Sequence, residues 1–156
     1  MSSSNFSNPY EIFETKEDFE KDGVWLDYGS WRIKAARAGG RNTMWSKEIT
    51  KMSRKHNLST TKNLDKERSD RLMAEVYAKA VIRDWEVKTE DEEGNEVWER
   101  GLHLKNDNND IEIVEPTRKN VTQALMDLPD LFDDIRQQTT EMSTYQNERV
   151  EEQVKN

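Results

Sequence analysis

The sequence predicts an α+β fold: a small, mainly helical domain with two β-hairpins, a C-terminal helix pair and disordered termini. Three observations lead there. Apolar side chains recur three and four residues apart in stretches around Ile49, Val76, Leu125 and Phe132, the period of an amphipathic helix. Around Trp31 and Trp85 they alternate with charged residues, the period of a half-buried strand. Both ends are polar, with Ser and Asn dominating residues 1–9 and only Val150 and Val154 apolar beyond Asn147. The expected organisation is an unstructured segment 1–9, one domain over residues 10–146 and a flexible polar tail over 147–156.

Each element has its own local reason. Residues 10–22 mix Tyr10, Ile12, Phe13 and Phe19 with charges, which predicts a short strand or helical turn closed by Asp22-Gly23. Val24–Tyr28 and Trp31–Ala35 flank Gly29-Ser30 and read as a hairpin, with Trp31, Ile33 and Ala35 on the buried phase. Gly39-Gly40 ends that strand. Asn42 is a candidate cap for a helix whose apolar residues are Trp45, Ile49, Met52 and His56. His56 lies near its end, where a cation suits the helix dipole.

A polar connector, Asn57–Asn63, leads to a helix over Leu64–Arg83. There Leu72, Val76 and Ala80 form one apolar row and Met73, Tyr77 and Val81 the next. Asp84–Val87 and Glu96–Trp98 predict a second hairpin through Gly94-Asn95, with Trp85, Val87 and Val97 inward. Leu102 and Leu104, then Ile111 and Ile113, predict two short strands around an Asn106–Asp110 loop. Pro116-Thr117 opens a helix carrying Val121, Ala124, Leu125 and Leu128. Pro129 ends it and opens a last helix carrying Leu131, Phe132, Ile135, Met142 and Tyr145, whose face thins at Gln138-Thr139.

Composition bounds the function. The 156 residues include no Cys, which excludes disulfides, thiolate metal sites and a Cys nucleophile. No apolar run approaches the ~18 residues of a membrane-spanning helix, and the N-terminus lacks the pattern of a signal peptide. Leu, Ile, Val and Phe number only 29, so the five Trp and four Tyr must supply much of the core. Trp31, Trp45, Trp85 and Trp98 all fall on apolar phases and read as core. The net charge of −8 is a remainder: residues 1–29 carry −5, residues 30–83 carry +9 and residues 84–156 carry −12. Such segregation suits neutralisation within the fold, between subunits or with a protein partner, and no nucleic-acid partner is expected.

No catalytic constellation is evident. Phosphate-binding, dinucleotide, zinc-protease and nucleophile-elbow motifs are missing, and the two histidines, His56 and His103, sit in unlike segments. Asp107–Asp110 has the look of a calcium loop but lacks Gly at its sixth position and an acid at its twelfth, where Arg118 stands. No enzyme, metal or cofactor is expected. The apolar face of Leu128, Leu131, Phe132, Ile135, Met142 and Tyr145, next to a polar tail, is the candidate partner-binding surface.

Several segments together resemble one family. Asp22-Gly-Val-Trp-Leu-Asp-Tyr-Gly29 followed by Trp31-Arg-Ile-Lys-Ala-Ala-Arg-Ala-Gly-Gly-Arg-Asn42 is similar to the opening of tail assembly chaperones of long-tailed, siphovirus-like bacteriophages. Val76–Trp85, the acidic turn Glu92–Val97 and the helix joint Leu125-Met-Asp-Leu-Pro-Asp-Leu-Phe132 follow in the order that pattern has. The similarity spans roughly residues 11–146, with a departure at 98–116, which is longer and more strand-like than the family's link. The resemblance implies a non-enzymatic protein in the host cytoplasm, absent from the mature virion. It also implies binding to the tape-measure protein, recruitment of tail tube subunits and a longer frameshifted form. The opposite-sign segments would in addition let subunits self-associate head to tail along that client. The alternative is a virion structural protein, such as a minor tail or head-tail joining component.

Overall fold

A computed structural model describes residues 6–56 and 65–146. The expected connector 57–63, the tail 147–156 and most of the N-terminal segment lie outside the described residues. The fold is the α+β domain the sequence predicts. Two short helices, α1 (Pro9–Phe13) and α2 (Glu17–Asp22), precede strands β1 (Val24–Asp27) and β2 (Trp31–Ala35). Helices α3 (Thr43–His56) and α4 (Lys66–Ala80) lead to β3 (Ile82–Glu90) and β4 (Glu96–Arg100). The hairpin β5 (Leu102–Lys105) and β6 (Ile111–Val114), helices α5 (Arg118–Asp127) and α6 (Pro129–Thr140), and a 3-10 turn at Met142–Tyr145 complete the chain.

The two expected hairpins merge into one antiparallel sheet in the order β1-β2-β3-β4, because β2 and β3 pair across the helical insertion. Local chemistry sets both turns. The Asp27 carboxylate accepts from Gly29 N at 2.8 Å, and Gly29 has φ +90, where a side chain would be strained. Asp91 accepts from Glu93 N and Asn95 N, both at 2.9 Å, to close the β3–β4 turn. Residues 102–114 form the separate two-stranded sheet β5-β6, as their two alternations predict.

One face of the large sheet is dry. Leu26, Ile33, Ala35, Ile82 and Trp85 point from it into a core shared with Ala74, Tyr77 and Val81 of the α4 region and with Leu102. Val121, Ala124 and Leu125 of α5 and Phe132 and Ile135 of α6 close that core. Tyr77 sits between two edge-on rings, Trp45 of α3 and Phe132 of α6, each with centroids 5.2 Å away. Such T-shaped pairs add to the burial of a core short of aliphatics. Both expected rows of α4 are at least half-buried, from Leu72 and Met73 to Ala80 and Val81.

Some expectations need correction. Residues 10–22 take the helical of the two expected forms, as two short helices rather than one turn, and α1 begins at Pro9, where Asn8 Oδ1 caps Tyr10 N and Glu11 N. Val97 lies on the inner phase but is exposed, since β3 and β4 run past the helical layer there. Trp98 pairs with Lys88 on the outer face of the sheet, not in the core. Thr139 does not thin the α6 face: it is fully buried, and its hydroxyl donates to Ile135 O at 2.7 Å. Met142 and Tyr145 belong to the 3-10 turn rather than to the last helix.

Candidate partner-binding surfaces

The six residues singled out from sequence do not share one exposed face. Phe132 is only 5% exposed, and Ile135 and Tyr145 are fully buried. Phe132 packs edge-on against Tyr77 of α4 and Ile135 joins the same core, because α6 must cover it, and Arg136 lies over the Phe132 ring at 5.3 Å. Tyr145 plugs the far end, its hydroxyl donating to Ala35 O at 3.2 Å while its carbonyl accepts from Lys16 N at 2.9 Å. Burial pushes that phenol well above the usual tyrosine range. Leu131 and Met142 are half-buried, and Leu128 alone among the six is open, at 49% exposure. A continuous docking face built on all six is therefore replaced by a surface that contains Leu128.

Leu128 is open for a backbone reason. It is at once the C-cap of α5 and the N-cap of α6, with φ −126 and ψ 73, because the following Pro129 disfavours helical geometry there. Its side chain thus leaves the buried stripe of α5. Facing it, the β5–β6 hairpin packs on α5 through Leu102 and Leu104, and its turn end leaves an open groove of about 740 Å³. Leu104, Ala124, Ile111 and Leu128 supply its apolar part; His103, Lys105, Asp107, Gln123 and Asp127 supply a polar rim. Ile111, on the outer phase of β6, is 64% exposed. The loop between the strands is held by Asn106, whose Oδ1 accepts from Asn108 N at 2.9 Å and Asp110 N at 3.0 Å.

A second open groove, about 700 Å³, lies on the outer side of α3, between Met44, Lys47, Lys51, Arg54 and Lys79 of α4. Its single carboxylate, Glu48, contacts Lys79 at 3.0 Å and Lys51 at 3.8 Å. The hydrogen bond from Lys79, opposed by some desolvation, holds Glu48 below the ordinary carboxylate range. The outer face of the large sheet is different in kind. The Arg32 guanidinium lies between the indoles of Trp25 and Trp98, 4.2 and 4.4 Å from their centroids, and is paired with Glu86 at 2.6 Å. Asp27, Asp84, Glu86, Glu90 and Glu96 share that face with Arg32, Lys34, Lys88 and Arg100. Its aromatic-cationic stack is thus internally neutralised, unlike a nucleic-acid platform.

Among the described residues no three His, Asp or Glu side chains come together in a way that could hold a metal ion, and no helix is long and apolar enough to cross a membrane. Sequence reading missed the groove because its two walls are 20 residues apart and their apposition is tertiary. The signal that was present is Leu128 just before Pro129 and Ile111 at the hairpin's turn, apolar residues next to chain breaks.

The fold and its surfaces define a small α+β domain that carries open apolar and cationic grooves outside a closed core. The sequence places it further. Residues 41–156 match the family described as YdaY prophage protein, and the chain belongs to that family. It is thus a phage-derived protein. Both grooves lie within the matched residues, while α1, α2, β1 and β2 precede them. No curated protein and no solved structure matches the chain.

Proposed function

We propose that this prophage protein is a non-enzymatic tail assembly chaperone that binds the tape-measure protein, keeps it soluble and recruits tail tube subunits. Prophage origin supports a role in phage biology, and the resemblance over residues 11–146 supports the narrower reading. The observation that carries it is the groove of Leu104, Ala124, Ile111 and Leu128. An open apolar trough rimmed by polar side chains suits the apolar stripe of a helical client, held by shallow and repeated contacts. The work belongs to the host cytoplasm, before the tail is complete, and the finished virion lacks the protein. A longer frameshifted product would share this domain.

The test is co-elution of the purified chain with tape-measure fragments, for the wild type and for Ile111→Asp/Leu128→Asp. Both positions are exposed, so the variant keeps its far-UV spectrum while binding falls about tenfold or more. Undiminished binding by that folded variant removes the groove assignment. Failure of the wild type to bind any tape-measure fragment removes the chaperone reading. Mass spectrometry of purified particles separates the alternative, since a virion structural component would be present at fixed stoichiometry.

A further inference from the structure

We infer that the chain associates head to tail with a second copy of itself, α1 of one molecule seating in the α3–α4 cationic groove of the next. Helix α1 buries none of its own residues. A five-residue helix has no stability of its own. This one is nonetheless capped by Asn8 and tethered by Gln146 Nε2 donating to Ile12 O at 2.8 Å and by Lys16 N donating to Tyr145 O at 2.9 Å. The result is a fixed element that turns Tyr10 (74% exposed) and Phe13 (66%), one helical turn apart, toward solvent. Exposed aromatic rings on a braced element contribute nothing to the core and are the usual anchors of protein interfaces.

Charge identifies the occupant of the groove. On and just after α1, Glu11 and Glu14 stand against Lys16, and Asp18 follows in α2, where Glu17 is already paired with Lys21 and Arg41. The groove carries Lys47, Lys51, Arg54 and Lys79 against Glu48 alone, beside the exposed Met44. An acidic segment with aromatic anchors thus complements a basic trough with an apolar edge, and both belong to one chain. The two surfaces differ, so the contact is heterologous. It leaves a free α1 at one end and a free groove at the other, and it propagates rather than closing as a two-fold dimer.

Sedimentation velocity over a range of concentrations tests this, with Tyr10→Ala/Phe13→Ala, Lys47→Glu/Arg54→Glu and an equimolar mixture of the two. All four positions are exposed, so folding is unaffected. The wild type is expected to grow with concentration, and to do so less at about 500 mM than at about 50 mM salt. Each variant alone associates about tenfold more weakly or worse. The mixture forms a dimer and stops, because one intact helix and one intact groove remain. A wild type that stays monomeric, or a mixture in which the variants ignore each other, overturns the inference. So does loss of association in Glu148→Lys/Glu151→Lys/Glu152→Lys with Tyr10→Ala/Phe13→Ala unaffected, which would assign the groove to the acidic C-terminal residues.

Discussion

Glu20 is 1% exposed, yet its carboxylate is charged and fully engaged. It accepts from the Thr15 hydroxyl at 3.1 Å, from Arg37 and from Arg41 Nε at 3.2 Å, and from Arg41 N at 3.3 Å. Burial alone would raise its pKa, but the donors from Arg41 and Thr15 outweigh it and the net shift is downward from about 4.5. Gly40, at φ +52, leaves room: a Cβ there would stand 2.5 Å from the Glu20 carboxylate. Glu20→Gln should cost about 2–3 kcal/mol at neutral pH, below the usual cost of breaking a buried pair because Arg41 is half exposed. The sign of the pH dependence follows from the depressed value. As pH falls the unfolded chain takes up the proton first, so protonation favours unfolding. The stabilisation is complete above about 4.5 and is lost as pH falls through the lower folded value. Urea melts of wild type and variant should therefore differ at about pH 7, and the difference should shrink as pH falls below about 4.5. A constant difference would show that Glu20 acts through packing alone. Nothing in the sequence separates Glu20 from its neighbours Glu17, Asp18 and Asp22, since its partners come from the turn between β2 and α3.

At the scale of the element, α6 is a core helix. Phe132→Ala and Ile135→Ala should each cost about 3–4 kcal/mol, as cavities beneath α4, and any effect on partner binding should follow the fraction folded. Circular dichroism melts alongside the binding assay test this: lost binding with unchanged stability would return both residues to a docking face. The periodicity of 129–135 shows that this face is apolar but not whether protein or partner covers it. That depends on where α4 lies, and α4 is some 50 residues away in sequence. Hairpins β1–β2 and β3–β4, and the Pro129 break, are legible because turn residues and local alternation dictate them. The pairing of β2 with β3 is not, since no local signal joins strands across two helices. Trp98 shows a further limit. An indole on an alternating strand reads as core, yet here the guanidinium of Arg32 serves as its neighbour. The C-terminal helix pair was thus readable and its open groove was not, because the groove depends on how the β5–β6 hairpin stands against α5.

Taken as a whole molecule, the chain combines sign-segregated charge with a core that has no natural point of division. The buried cluster begins at Leu26 of β1, passes through β2, α4, β3, β5 and α5, and ends at Ile135 of α6. Backbone hydrogen bonds stitch the same distant segments: Ala36 N to Val81 O at 2.8 Å, Gly101 N to Trp85 O at 2.9 Å and Ala38 N to Thr139 O at 2.9 Å. Removing the helices would expose the inner face of the sheet, and removing the sheet would expose Tyr77 and Phe132, so neither layer keeps its burial alone. Unfolding should therefore be one cooperative transition. The tryptophans make the test direct. Trp25, Trp31, Trp85 and Trp98 sit in the sheet, so fluorescence follows mainly the sheet, whereas the far-UV signal near 222 nm follows mainly the helices. The two urea curves should coincide in midpoint and slope, with amide exchange slowest in β2, β3 and α4. Curves that part, with fluorescence lost before helicity, would show that the sheet and the α4–α6 layer fold separately. The continuous core would then be a contact between two units rather than the centre of one.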